Sequence, residues 1–391
     1  MNATSTPAST STGLGLADLP SVPRALDAAG LAEIARAVAA AKVVGIGEST
    51  RFAPETFALR DALFHLLVQQ YGFRVVALQD SADVAAILDE YVVSSEGSAR
   101  GALETAWRPW RHQEMATALE WIRDFNRAHP ADPVRIIAVK PAQAKSADYD
   151  VVSAAVREVA PDRVDELSAH LEPIRTAHTT DEHVQRAQGI HPGRLFREHA
   201  DDAAALVNSL PVSDQALSLM RSIVDFHENS VAGRGSFIGD DERWAATIIN
   251  HQTRTGERVV YWDGIAHSAA TPLGSQPTDS TPPTVGSALR RYYGSDYASI
   301  AIGFHHGNVG IADIPSPAPD FLDAVLGSAA PETNWLDLRA AEPFGPVKMR
   351  VISGIYNPAQ DTAAYLTVAD LPAAFDILIH VREVSPLRWF Q

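Results

Sequence analysis

The feature that most constrains the fold is a strand–helix–strand succession near the amino terminus. The apolar stretch "KVVGIG" (42–47) reads as a short buried strand. "APETFALRDALFHLLVQQYG" (53–72) follows with apolar residues at helical spacing, Pro54 suited to a first helical turn and Gly72 to a stop. "FRVVALQD" (73–80) is a second buried strand, and another helix is expected from Ser81. Two strands joined through a helix run parallel, with the helix packed on one face of the sheet. The alternation recurs: helices are expected over 24–41 and 112–129, and strands over 134–140, 258–264, 297–304, 347–356 and 374–381. The pattern predicts an α/β fold, a mainly parallel central sheet flanked by helices.

From about 148 to 255 the pattern is almost wholly helical, with long polar stretches such as "DRVDELSAHLEPIRTAHTTDEHVQRAQ". Strands resume after it, so one sheet split by a helical insertion subdomain is expected rather than two independent domains. The expected organisation is a disordered tail over 1–20, rich in Ser, Thr and Pro, and a single domain over 21–391. The loop 271–287 is dense in Pro, Ser and Thr and reads as a lid or a mobile connection. No short internal repeat is present.

Composition removes several function classes. With 46% hydrophobic and 20% charged residues, the chain has the balance of a folded soluble protein. Its 48 acidic and 32 basic side chains leave a net charge of −16, which repels a polyanionic backbone and excludes nucleic acid as the main partner. There is no cysteine, hence no disulfide, thiolate nucleophile or cysteine-ligated zinc. No run approaches the roughly 18 apolar residues of a membrane span. The opening "MNATSTPASTSTG" has neither the basic nor the apolar segment of an export signal, so no membrane partner and a cytoplasmic location are expected. H-E-x-x-H is absent, "FHEN" (226–229) lacks the second histidine, and neighbours on a strand point to opposite faces, so His305 and His306 would not share an ion. No metal and no cofactor are expected. G-x-S-x-G is absent too, which removes the usual serine hydrolase. A small-molecule substrate remains, with the oligomeric state open.

In open α/β sheets, ligands bind beyond the carboxyl ends of the strands. Three such ends carry unusual polar residues: "GIGESTRF" (45–52), "YWDGIAHSA" (261–269) and "GFHHGNVG" (303–310). In the first, Gly45 and Gly47 read as allowing a ligand close to the backbone. Glu48 either faces the cavity or accepts loop amides. Arg51 stays protonated, so it serves only to bind or polarise an oxyanion or to orient a carboxylate. Arg60 sits among Phe57, Leu59, Leu63 and Phe64 on the next helix and needs a buried carboxylate partner, for which Glu48 is the natural candidate. His267 is the proton-transfer candidate, with Asp263 as its orienting carboxylate. "WRPWRHQEM" (107–115) offers Trp110, His112 and Glu114 to an aromatic-lined pocket. The expected catalytic set is thus Glu48, His267 and Arg51. The expected substrate-binding set is Arg60, His112, Glu114, Asp263, His305, His306 and Trp110.

"VVGIGEST", then "YGFRVVAL", "WRHQEMATALEWIRDFN", "DDERWAATII", "YWDGIAHSA", "YGSDYASIAIGF", "WLDLR" and "LPAAFDILIHVRE" occur in an order that resembles the erythromycin esterase family over roughly residues 30–390. The resemblance implies an α/β core with a helical subdomain forming a deep cleft, and hydrolysis of macrolide lactones through an acidic residue and histidines that activate water. It implies functional roles for Glu48, Arg60, Glu114 and His267. The chain departs from the family pattern where a histidine is replaced by Arg51, where another is replaced by Gly264 between Asp263 and Ile265, and where a glutamate is replaced by Gln79. Loss of a water-activating base costs about 10²–10⁴-fold in rate. The expectation is therefore a natural-product tailoring enzyme, on a polyketide or similar compound, using acid–base chemistry without activated water: a cyclisation, isomerisation or elimination of the cyclase, isomerase or lyase type. The alternatives are an esterase-like hydrolase and an inactive small-molecule binding protein.

Overall fold

Parallel pairing runs through the centre of the molecule. The structure, a computed structural model, describes residues 14–94, 96–229, 240–275 and 281–390. The twelve described strands are β1 (Arg24–Ala25), β2 (Val43–Glu48), β3 (Phe73–Ser81), β4 (Arg135–Lys140), β5 (Arg258–Gly264), β6 (Gly274–Ser275), β7 (Tyr297–Asn308), β8 (Asp313–Ile314), β9 (Thr333–Asp337), β10 (Val347–Arg350), β11 (Tyr365–Val368) and β12 (Ile377–Val384). Nine form one sheet in the order β1-β9-β12-β7-β2-β5-β3-β4, with β8 paired to β7. The six from β12 to β4 are parallel, and β9, β1 and β8 pair antiparallel at the margins.

The helix Pro54–Tyr71 begins on proline and ends at Gly72, whose φ of 69° is the left-handed conformation that glycine adopts without strain. It packs Phe57, Leu63, Phe64 and Leu67 onto one face of the sheet, in a core shared with Ile46, Val76, Leu78 and Trp262. The opposite face is covered by the helices Asp240–Thr255 and Val285–Tyr293 through Trp244, Ile248, Val285 and Leu289. Helices Ser146–Val159, Val164–Arg175, Phe196–Asn208 and Asp214–Glu228 bury Tyr149, Leu167, Leu171, Phe196 and Met220 in a core of their own. No described helix is long and apolar enough to cross a membrane.

Three sequence expectations need correction. The stretch 347–356 is a strand only over Val347–Arg350, and it lies in a separate three-stranded antiparallel sheet with β11 and β6. Its Val347 and Met349 point into a second apolar cluster away from the main sheet. The helix expected over 24–41 starts at Ala28, because the Asp27 side chain accepts the Gly30 amide as an N-cap and Arg24–Ala25 pairs with β9. The short strand β9 itself, "TNWLD", between β1 and β12, has too few apolar residues to stand out in the sequence. Finally, Gly45 and Gly47 do not make room for a ligand. A Cβ on Gly45 would sit 2.3 Å from Tyr297 Oη, and one on Gly47 would sit 2.0 Å from Ser268 Oγ. These glycines admit neighbouring side chains against β2. Of the expected tail and the 271–287 loop, residues 1–13 and 276–280 lie outside the described residues, whereas Leu14 and Leu19 pack on the second cluster.

Candidate active site

The carboxyl ends of β2, β5, β3 and β4, neighbours in the sheet, open into a cleft of about 1120 Å³, walled on its other side by residues of the helical layer such as Thr180, His183 and Phe226. Each strand end delivers a polar side chain to it: Glu48 from the end of β2 and Arg51 after it, His267 after β5, Gln79 from β3 and Lys140 from β4. This is the position where an open parallel sheet binds its ligands.

The loop after β2 is pinned at its backbone. Ser49 donates its amide to the Ile302 carbonyl and accepts the Ile352 amide, both at 2.9 Å. Glu48 is buried and accepts Arg60 Nη1 at 2.7 Å, with Thr56 Oγ1 at 3.5 Å. Burial pushes its carboxyl above the usual carboxylate range, against the pull of Arg60 and Arg51. Arg60, fully buried, lies among the rings of Phe57, Trp110 and Trp262 at 4.9, 5.2 and 4.7 Å. It therefore supports Glu48 from behind and does not line the cleft.

Arg51 does reach the cleft. Its Nη2 donates to Asp263 Oδ1, and its guanidinium lies 4.7 Å from the Trp107 ring centroid. Asp263 is itself buried and also accepts the Tyr261 hydroxyl and, at 2.6 Å, the Gly264 amide. The expected Asp263–His267 pairing is thus replaced: Asp263 holds Arg51, and its charge reaches His267 only through space.

The carboxylate that orients His267 is Asp241, in the first turn of the helix Asp240–Thr255. His267 Nδ1 lies 2.8 Å from Asp241 Oδ1, and Asp241 also accepts the Val285 amide at 3.2 Å. Burial alone would lower the imidazole pKa, but the charge of Asp263 and the bond to Asp241 outweigh it and hold the pKa above its ordinary value. Trp244 flanks the ring at 5.3 Å. The arrangement is an imidazole whose Nδ1 proton is fixed by a carboxylate, the geometry of a general acid–base group.

The remaining expected residues lie elsewhere. Trp110 is core, donating Nε1–H to the Gln79 carbonyl at 3.3 Å. His112 is buried and caps the helix Gln113–Ala128, its Nδ1 accepting the Met115 amide at 3.2 Å, and burial pushes its pKa down to about 4. Glu114 accepts Arg388 Nε at 2.8 Å. His305 and His306 fall inside β7, which runs four residues beyond its expected end, and their Nδ1 atoms lie 2.9 Å apart outside the cleft lining. None of these lines the cleft. Lys140, Trp107 and Trp244 line the cleft and Asp241 is bonded to the lining residue His267; the sequence reading assigned none of the four. Asp241 and Trp244 stand in "DDERWAATII", which carried part of the family resemblance. Among the described residues, no group of three or more histidine or carboxylate side chains stands close enough together to hold a metal ion.

An α/β sheet with a helical wall and an acid–base cleft at its carboxyl edge defines the class. The sequence profile described as erythromycin esterase matches residues 68–384, and the chain belongs to that family. The match begins beyond Glu48, Arg51 and Arg60. Solved structures share the fold at low identity. A Bacillus cereus protein is 20% identical with a TM-score of 0.63, covering 94% of this chain and 97% of that one. A succinoglycan biosynthesis protein is 18% identical with a TM-score of 0.60, covering 94% and 95%. An erythromycin esterase, EreC, carrying a point substitution and in its open conformation, is 18% identical with a TM-score of 0.58, covering 92% and 95%. No curated protein sequence matches the chain.

Proposed function

We propose that the protein cleaves an ester or lactone bond of a bulky, largely apolar small molecule, with His267 as the base that activates water. The observation that carries this reading is the Asp241–His267 pair at the cleft wall, 2.8 Å apart. With its proton held on Nδ1 by Asp241, the ring presents Nε2 as the basic nitrogen. Glu48 is committed to Arg60 and Arg51 stays charged, so neither competes for that role. The dyad thus answers the objection raised by the missing family histidine: a base is present, on a different strand end. Once protonated, His267 returns the proton to the leaving alkoxide. Arg51, fixed by Asp263 and Trp107, is placed to hold the oxyanion or the carboxylate that results.

A second reading has one observation in its favour. Arg51 stands where the family has a histidine, and the same dyad serves a C–H deprotonation leading to elimination, isomerisation or cyclisation without water. Incubation with macrolide lactones and simple lactones in ¹⁸O-labelled water separates the two. Hydrolysis gives a ring-opened acid heavier by one water, with a single label in its carboxyl group. An unlabelled isomer or a dehydrated product replaces hydrolysis with the second reading, and ligand recovered unchanged throughout the panel contradicts both.

A further inference from the structure

We infer that Lys140, which shares the Trp107 ring with Arg51, forms a subsite for a carboxylate carried by an otherwise apolar substrate; this rests on reading the cleft as the substrate site. Lys140 is the last residue of β4 and lines the cleft, half-buried. Its Nζ lies 5.0 Å from the Trp107 ring centroid and 5.4 Å from that of Trp244. Trp107 carries the Arg51 guanidinium and Trp244 carries His267, so indoles separate three basic groups along one wall.

The three differ in how they are neutralised. Arg51 has Asp263 and His267 has Asp241, whereas Lys140 forms no ion pair among the described residues. Nearby carboxylates are bonded to other donors: Asp80, which acts on Lys140 only through space, accepts the Ser81 and Trp107 amides, both at 2.8 Å. Asp181 accepts Trp107 Nε1–H at 3.0 Å, and Asp83 accepts the Gln143 amide at 3.1 Å. Indole faces attract an ammonium group but do not cancel its charge. A partly desolvated cation with no carboxylate bonded to it has donor capacity left over, and it marks a place where an anion is received. At the cleft mouth, Ile311 and Ile355 are left 49% and 48% exposed, which supplies an apolar seat for the rest of an amphiphilic molecule.

The test is equilibrium binding, so it stands whether or not the enzyme hydrolyses esters. The full chain is titrated with 1-pyrenebutyrate and with 1-pyrenebutanol, which share the ring and differ in the carboxylate. The wild type is expected to bind the carboxylate about tenfold more tightly, the scale of one charge-assisted hydrogen bond. Lys140→Met removes that preference and leaves the alcohol within about twofold, while Lys140→Arg retains it. Lys348→Met, at an exposed pair with Asp320, changes neither probe. Equal binding of both probes by the wild type, binding of neither, or a loss in Lys140→Met that affects both equally overturns the inference.

Discussion

Replacing His267 with alanine is expected to lower kcat on an accepted ester by about 10²–10⁴-fold, the range that general acid–base help supplies. KM is expected to change little, because only 17% of the imidazole side chain is exposed and its main bond is to Asp241 rather than to the cleft contents. Asp241→Asn tests the same unit from the other side. The amide keeps the shape of the carboxylate but neither favours the imidazolium nor dictates the same tautomer, so a loss of about 10²-fold or more is expected. The double variant is expected to be no worse than His267→Ala alone, because two residues acting as one unit do not lose activity additively. Steady-state kinetics on purified variants with unchanged thermal melts checks all three. Full turnover by His267→Ala would remove the imidazole from the mechanism.

The second large effect is on stability. Arg60→Met is expected to destabilise the fold by about 3–5 kcal/mol, the usual cost of breaking a buried ion pair from one side. Glu48 is 3% exposed and Arg60 is 0% exposed, so the stranded carboxylate is left with little solvation. Three aromatic rings surround the guanidinium and leave a site that methionine fills without a replacement charge. Adding Glu48→Gln in the same chain is expected to recover much of the loss, because the unpaired charge is then gone. Urea unfolding midpoints read the difference. A change below about 1 kcal/mol for Arg60→Met would place the pair among weakly coupled surface contacts instead.

What the sequence revealed follows from what is local in it. The parallel strands were legible because each is a continuous apolar run bounded by a helical pattern, and the Glu48–Arg60 pair because a strand end and the next helix adjoin. The short antiparallel strand β9 was not, since five residues with mixed polarity carry no period. Asp241 was hidden for a different reason. It stands 26 positions before His267 in a run of three acids at a helix start, where carboxylates are common for the helix dipole alone. Only the packing of the helix Asp240–Thr255 against the end of β5 brings it to the imidazole. His305 and His306 misled in the opposite direction: a polar pair after an apolar run looks like a strand end, yet backbone pairing carries β7 through both.

The family relation sharpens the meaning of Arg51. A fixed cation beside a buried glutamate does not replace a histidine as base; in the proposed reading that role goes to His267, whose Nδ1 is held by Asp241. In the proposed reading, binding, orientation and charge fall to Arg51 and Lys140, and proton transfer to His267.

The titration of His267 tests that division most directly, and it needs no substrate. The Cε1–H resonance, assigned by its absence in His267→Ala, is followed with pH in the wild type and in Asp241→Asn. The midpoint is expected above the ordinary imidazole value of about 6.5, and it is expected to fall when Asp241 loses its charge. Because the base is the deprotonated ring, kcat/KM then rises with pH through that same midpoint. A midpoint at or below about 6.5 that Asp241→Asn leaves in place would contradict the dyad and the function proposed from it.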